Sequence, residues 1–215
     1  MRDFRNIKNR FFILCMFCCL LFSFISCSDV SINISTVYPQ LVYEYTTKTS
    51  APDVRLSVYA EVSSGSDIMQ TMIVKNTSNN MVWTIEPVDI MTNSSGKKKY
   101  AGYSAICMPA DVSFEKAVYQ VIYEDLSGKK TDALFSINPD DASAYGQTAV
   151  NSSNKQYMVV DQSGNLLYTG SYNENFSSAE TVRNAYPDAA YYREYVLNAE
   201  LNAIYLMPAV NLKSE

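Results

Sequence analysis

Along residues 54–62, VRLSVYAEV, apolar and polar positions alternate without a break. Val54, Leu56, Val58, Ala60 and Val62 fall on one side, Arg55, Ser57, Tyr59 and Glu61 on the other. A period of two predicts a half-buried strand. SSGSD turns that strand, and IMQTMIVKN, 68–76, is the next one. In MVWTIEPVDIM, 81–91, Met81, Trp83 and Ile85 share a face, and Pro87, which has no N–H, bars a continuous central ladder. Residues 118–137 and 156–170 each predict a hairpin, with turns around 125–128 and 161–165. Both turns carry an Asp that caps its own backbone and a Gly that takes positive φ. Their common D-x-S-G form reflects turn chemistry rather than a repeat, and neither has the alternating ligands of a calcium loop.

Toward the C-terminus the period changes. SSAETVRNAY, 177–186, places Ser177 three residues before Glu180, the spacing of a capping box. Pro187 interrupts, and 188–206 predicts a longer helix capped by Asp188. Tyr192, Val196, Ala199 and Ala203 form its apolar stripe, widened by Leu197, Leu201 and Ile204. Strands followed by helices give the expected fold: mainly β, an antiparallel β-sandwich of immunoglobulin-like kind with a C-terminal helix packed on it. An α+β sheet is the alternative. Trp83 has no flanking cysteine pair, so the Cys–Trp–Cys hallmark of immunoglobulin domains is missing.

The front of the chain is of another kind. Residues 1–10 hold four basic side chains and one acidic one, and 11–25, FFILCMFCCLLFSFI, hold no charge. A positive start followed by a short apolar run is the pattern of a secretory signal. Fifteen residues reach about 22 Å as a helix, short of the roughly 30 Å hydrocarbon core. The run stops at Phe24-Ile25-Ser26-Cys27, which resembles a bacterial lipoprotein box. Phe24 departs from the usual Leu. The resemblance implies cleavage before Cys27 and a thioether to diacylglycerol on its thiol, chemistry that needs a nucleophilic sulfur. It also implies attachment to the membrane through that lipid. Asp29, rather than an Asp directly after the cysteine, fits sorting to the outer membrane. The expected organisation is a signal peptide at 1–26, a lipidated N-terminus with a short tether at 27–37, and one β-rich domain at 38–215.

Removing residues 1–26 leaves 189 residues with 13 basic and 21 acidic side chains, a net charge of −8. Such a chain lacks the concentrated basic surface that nucleic acid requires. Cys107 then has no partner beyond Cys27, so a disulfide scaffold is ruled out and the core must hold the fold. Cys107, in YSAICMPAD, is expected as a buried thiol.

Catalytic chemistry is scarce. The chain has no histidine, which removes Ser-His-Asp and Cys-His pairs and most zinc sites. No phosphate loop or dinucleotide fingerprint occurs, so neither cofactor nor metal is expected. The adjacent pairs Glu124–Asp125 and Asp140–Asp141 would face opposite ways on a strand. Tyrosine, by contrast, is abundant, with 17 residues. It joins an apolar ring to a polar hydroxyl and serves sugar platforms and protein interfaces. Tyr168, Tyr172, Tyr191 and Tyr195 are the candidate binding aromatics. The expected function is that of a membrane-anchored cell-envelope lipoprotein with a non-catalytic binding or structural role toward an envelope protein or glycan. The alternatives are a carboxylate-dependent envelope hydrolase and a secreted protein without lipid.

Overall fold

The structure, a computed structural model, describes residues 31–93 and 95–212. Cys27 and the leader before it lie outside the described residues. Strand makes up 52% of the described residues, so the mainly β expectation holds, as a curled half-barrel sheet with a smaller sheet and two small helices.

The alternating segment is β2 (Asp53–Ser64), with Leu56, Val58, Ala60 and Val62 buried as the pattern requires. It pairs with β1 (Asn33–Glu44), which begins before the expected boundary at 38, so residues 33–37 are strand rather than tether. β3 (Met69–Asn76) and β4 (Val82–Ile85) follow in the smaller sheet. Pro87 lies where the chain leaves that sheet, and β5 (Asp89–Thr92) joins the larger one beside β6 (Lys99–Cys107). Both predicted hairpins form: β7 (Ala117–Asp125) with β8 (Lys130–Ile137), and β9 (Gln156–Asp161) with β10 (Leu166–Ser171). Asp125 and Asp161 accept backbone N–H groups of their own turns, and Gly128 and Gly164 take positive φ. Hydrogen bonds from Ser127 hold the Asp125 carboxyl below the ordinary range.

Residues 188–206 are not a helix. They form β11 (Ala189–Asn198) and β12 (Ala203–Leu206), an antiparallel hairpin. The turn is built locally: Asn198 Oδ1 accepts from the N–H groups of Glu200 and Leu201, and Asn202 takes φ 47°. The helical stripe is thereby split. Val196 and Ala203 enter the core and Tyr192 the second cluster, whereas Ile204 lies on the opposite face and Ala199 in the turn. Tyr, Val and Ile pack well on a pleated surface, and here tertiary pairing wins over the 3.6-residue spacing. The shorter helix does form, as α2 (Ala179–Ala185), one residue out of register. Ser178 is its N-cap, in a box with Thr181 rather than Ser177 with Glu180.

A helix absent from the sequence expectation, α1, spans Pro139–Val150. Asn138 caps it, Pro139 starts it, and Asp140 and Asp141 sit in the first turn where the helix dipole favours anions. It packs through small residues, Ala142, Gly146 and Ala149. A side chain at Gly146 would come within 2.6 Å of Tyr45 Oη.

The larger sheet runs β10-β9-β11-β12-β1-β2-β6-β5, with β13 (Val210–Asn211) also on β11; the smaller runs β4-β3-β7-β8. β1 and β12 pair in parallel. This order is not that of an immunoglobulin sandwich, whose sheets are smaller and antiparallel. One face of the larger sheet is covered across its inner strands, while the edge strand β5 stays exposed. Leu41, Leu56 and Val58 share a core with Met72, Tyr119, Val121 and Tyr123 of the smaller sheet. Tyr43 and Tyr205 stack 5.1 Å apart and donate to the Pro139 and Ala142 carbonyls of α1. At the far end Val159 and Tyr192 pack with Phe176 and Val182, the latter from α2. Each large buried side chain stabilises the fold by about 1.5–3 kcal/mol.

Candidate functional site

The other face of the larger sheet carries no packed element among the described residues. Strand alternation fixes what it shows. β1 presents Tyr38, Gln40, Val42 and Glu44; β2 presents Arg55, Ser57, Tyr59 and Glu61; β11 presents Tyr191, Arg193, Tyr195 and Leu197. Across β6 and β5 the register adds Tyr100 and Met91. Two adjoining grooves follow. One, of about 540 Å³, is lined by Tyr38, Tyr59, Tyr100, Met91, Leu197 and Asn198 among others. The second, of about 420 Å³, is lined by Glu44, Arg55, Ser104, Tyr191, Arg193 and neighbours. Gln40 and Ser57 belong to both.

In the first groove the rings of Tyr38 and Tyr100 meet edge to face at 5.9 Å. Tyr38 Oη donates to Glu61 at 3.4 Å and Tyr59 Oη to Asp89 at 3.5 Å. Burial, then the Asp89 charge, raises the Tyr59 hydroxyl above its ordinary pKa. Tyr38 and Tyr59 are held by their hydroxyls while their rings stay partly exposed, an arrangement suited to stacking on sugar rings.

The second groove holds a triad on three strands. Arg55 donates to Glu44 Oε2 at 2.5 Å and Arg193 to Glu44 Oε1 at 2.7 Å. Burial pushes the Glu44 carboxyl up, but hydrogen bonds from Arg55 and Arg193 and their charges outweigh it and hold it below the ordinary range. Arg193 lies over the Tyr191 ring, 5.4 Å from its centre. Its Nε is shut off from solvent and has no hydrogen-bond partner.

The four tyrosines chosen from sequence do not form one surface. Tyr191 is at the triad. Tyr195 shares its face, but it is buried in a cluster with Val42 and Leu206, and its hydroxyl meets Thr169 and Gln156. Tyr168 packs on the covered side against Phe176 and Tyr186 and donates to the Ser171 carbonyl. Tyr172 is exposed at that end, edge-on to Tyr157. Burial and the Glu194 charge push the Tyr157 hydroxyl up to about 12. Tyr38, Tyr59 and Tyr100 were not singled out, although the outward position of Tyr59 follows from alternation in 54–62.

Of the adjacent carboxylate pairs, Glu124–Asp125 lies on β7 and faces opposite ways, whereas Asp140–Asp141 sits in the first turn of α1 rather than on a strand. Glu124 pairs with Lys130, Asp125 holds its turn, and Asp141 meets Asn138 at the α1 cap. A cavity of about 650 Å³ near α1 is lined by Asp53, Asp111 and Asp140, with Tyr43 and Ser143. Cys107 is exposed at the end of β6 rather than buried, because its side chain falls on the uncovered side of that strand, opposite Arg55. No three metal-ligating side chains cluster among the described residues, and none of their helices is long and apolar enough to cross a membrane. No protein-family model, curated protein or solved structure matches the chain.

Proposed function

We propose that the chain is a lipid-anchored, non-catalytic protein of the bacterial cell envelope that binds a glycan on the uncovered face of its larger sheet. The observation that carries the binding role is the joined pair of grooves, where Tyr38, Tyr59, Tyr100 and Tyr191 stand beside Gln40, Ser57 and the Arg55–Glu44–Arg193 triad. Open rings with polar groups between them match the alternating apolar faces and hydroxyl edges of a sugar. The anchor rests on Ser26-Cys27 after the charge-free run. It places the domain at a membrane without a basic surface of its own.

Two measurements test this reading. Intact mass of the membrane-extracted protein should give a chain starting at Cys27 with diacylglycerol attached; an unmodified chain would overturn the anchor. Oligosaccharides of envelope type, arrayed and probed with the wild type and with a Tyr59→Ala/Tyr100→Ala variant, should be bound by the first and lost by the second. Equal binding by both would overturn the assigned face.

Hydrolysis is the second reading, favoured by the three aspartates around the cavity near α1. All three residues are exposed. A general acid at neutral pH needs an apolar setting that keeps its proton, which exposed carboxylates lack. Glycan turnover lost in Asp53→Asn or Asp140→Asn would establish it over binding.

A further inference from the structure

We infer that the triad groove recognises a carboxylate on the glycan, making the ligand an acidic sugar such as a uronate. The inference rests on the binding role proposed above and specifies its ligand.

Charge counting comes first. The groove holds two guanidiniums, Arg55 and Arg193, and one carboxylate, Glu44. It therefore keeps one surplus positive charge in a domain that is acidic as a whole. Donor counting agrees. A guanidinium has five N–H donors in a planar fork, made for two-point contact with a carboxylate. Glu44 has two oxygens, and each already accepts from one arginine. Most of the guanidinium donors are thus unused by Glu44; Arg193 Nε is shut off from solvent, so the donors a ligand can reach are chiefly those of Arg55.

Geometry points the same way. The Arg193 side chain is 13% exposed and that of Arg55 31%. The first is fixed by packing over the Tyr191 ring and the second is open to a ligand. A fixed cation in a partly dry groove costs little ordering on binding and is screened less than a surface lysine. Gln40 and Ser57, shared with the tyrosine groove, supply hydroxyl-matching polar groups at the junction. A saccharide lying across that junction would stack on the tyrosines and place its carboxylate against Arg55.

The triad would also exist if it only tied β1, β2 and β11 together, so the test separates the two roles. Trigalacturonate and its neutral counterpart, galactotriose, are titrated into the detergent-extracted full chain at low and high salt. Wild type should bind the acidic trimer at least about tenfold tighter, and the gap should close as salt rises. Arg55→Gln should abolish that preference, so that trigalacturonate and galactotriose bind alike. Glu44→Gln removes the competing carboxylate, so it should tighten trigalacturonate binding several-fold even as it lowers the melting temperature; a purely structural triad predicts no gain. Equal affinity for both trimers, or weaker acidic binding in Glu44→Gln, overturns this inference but leaves glycan binding standing. Failure of both trimers to bind overturns the inference; loss of the glycan reading itself additionally requires a blank oligosaccharide array.

Discussion

The two faces of the larger sheet are both rich in tyrosine and use it in opposite ways. On the covered face, Tyr43 and Tyr205 are fully buried, and each hydroxyl donates to a carbonyl of α1. Tyr123 reaches from the smaller sheet to the Ala101 carbonyl in the same manner. On the uncovered face, Tyr38 and Tyr59 keep part of their rings in water, and their hydroxyls meet carboxylates. A buried tyrosine is a bolt between layers: its ring fills the core and its hydroxyl satisfies a backbone group that would otherwise cost free energy. An exposed one held by its tip is a platform. The number of tyrosines says nothing of which role dominates; their partners do.

The sharpest way to break this comparison is at two neighbouring positions on β11. Val196 is 5% exposed in the core and Leu197 is 52% exposed on the other face. Val196→Asp should destabilise the domain by about 2–5 kcal/mol in denaturant unfolding. A smaller but comparable loss at both positions would mean that the second face is covered as well. Next in size is Tyr205→Phe, which removes a buried hydroxyl from the Ala142 carbonyl and should cost about 0.5–1.5 kcal/mol. Tyr59→Phe should leave the unfolding midpoint almost unmoved.

The triad gives a pH-dependent effect of smaller size. The folded Glu44 carboxyl lies below its unfolded value. Its contribution is therefore present above the unfolded pKa and is lost as pH falls through the folded one. Solvent screening of a partly exposed group keeps it below about 1 kcal/mol. Wild type should exceed Glu44→Gln in urea midpoint near neutrality, and the two should converge in acid below the ordinary Glu value of 4.5. Leu197→Asp should likewise stay within about 0.5 kcal/mol in stability, although it lines the tyrosine groove and should weaken ligand binding.

How much of this was legible depended on whether a local signal had one reading. In 54–62 every second residue is apolar, and no helix fits that pattern, so β2 and its outward Tyr59 follow directly. The hairpin turns were equally plain, because Asp and Gly act within a few residues of themselves. In 189–198 the strand was hidden because both faces carry a charge: Arg193 on one side, Glu194 on the other. Alternation vanished, and a helical stripe appeared by chance. α1 was overlooked for the converse reason. Its start signal, Asn138-Pro139-Asp140-Asp141, is present, but its buried face is made of alanines and a glycine and leaves a weak apolar stripe. The triad could not be read at all. Arg193 and Glu44 are 149 residues apart and meet only because the β11–β12 hairpin is laid parallel to β1.

A ligand bound on the uncovered face should leave its mark on the residues that line it. Chemical-shift mapping on the full chain, titrated with a bound oligosaccharide, tests this most directly. Perturbations should concentrate at Tyr59, Tyr100, Tyr191 and Leu197, with Tyr43 and Tyr205 unmoved. Perturbations centred on Asp53, Asp111 and Asp140, or on Tyr168 and Tyr172 at the covered end, would contradict binding on that face.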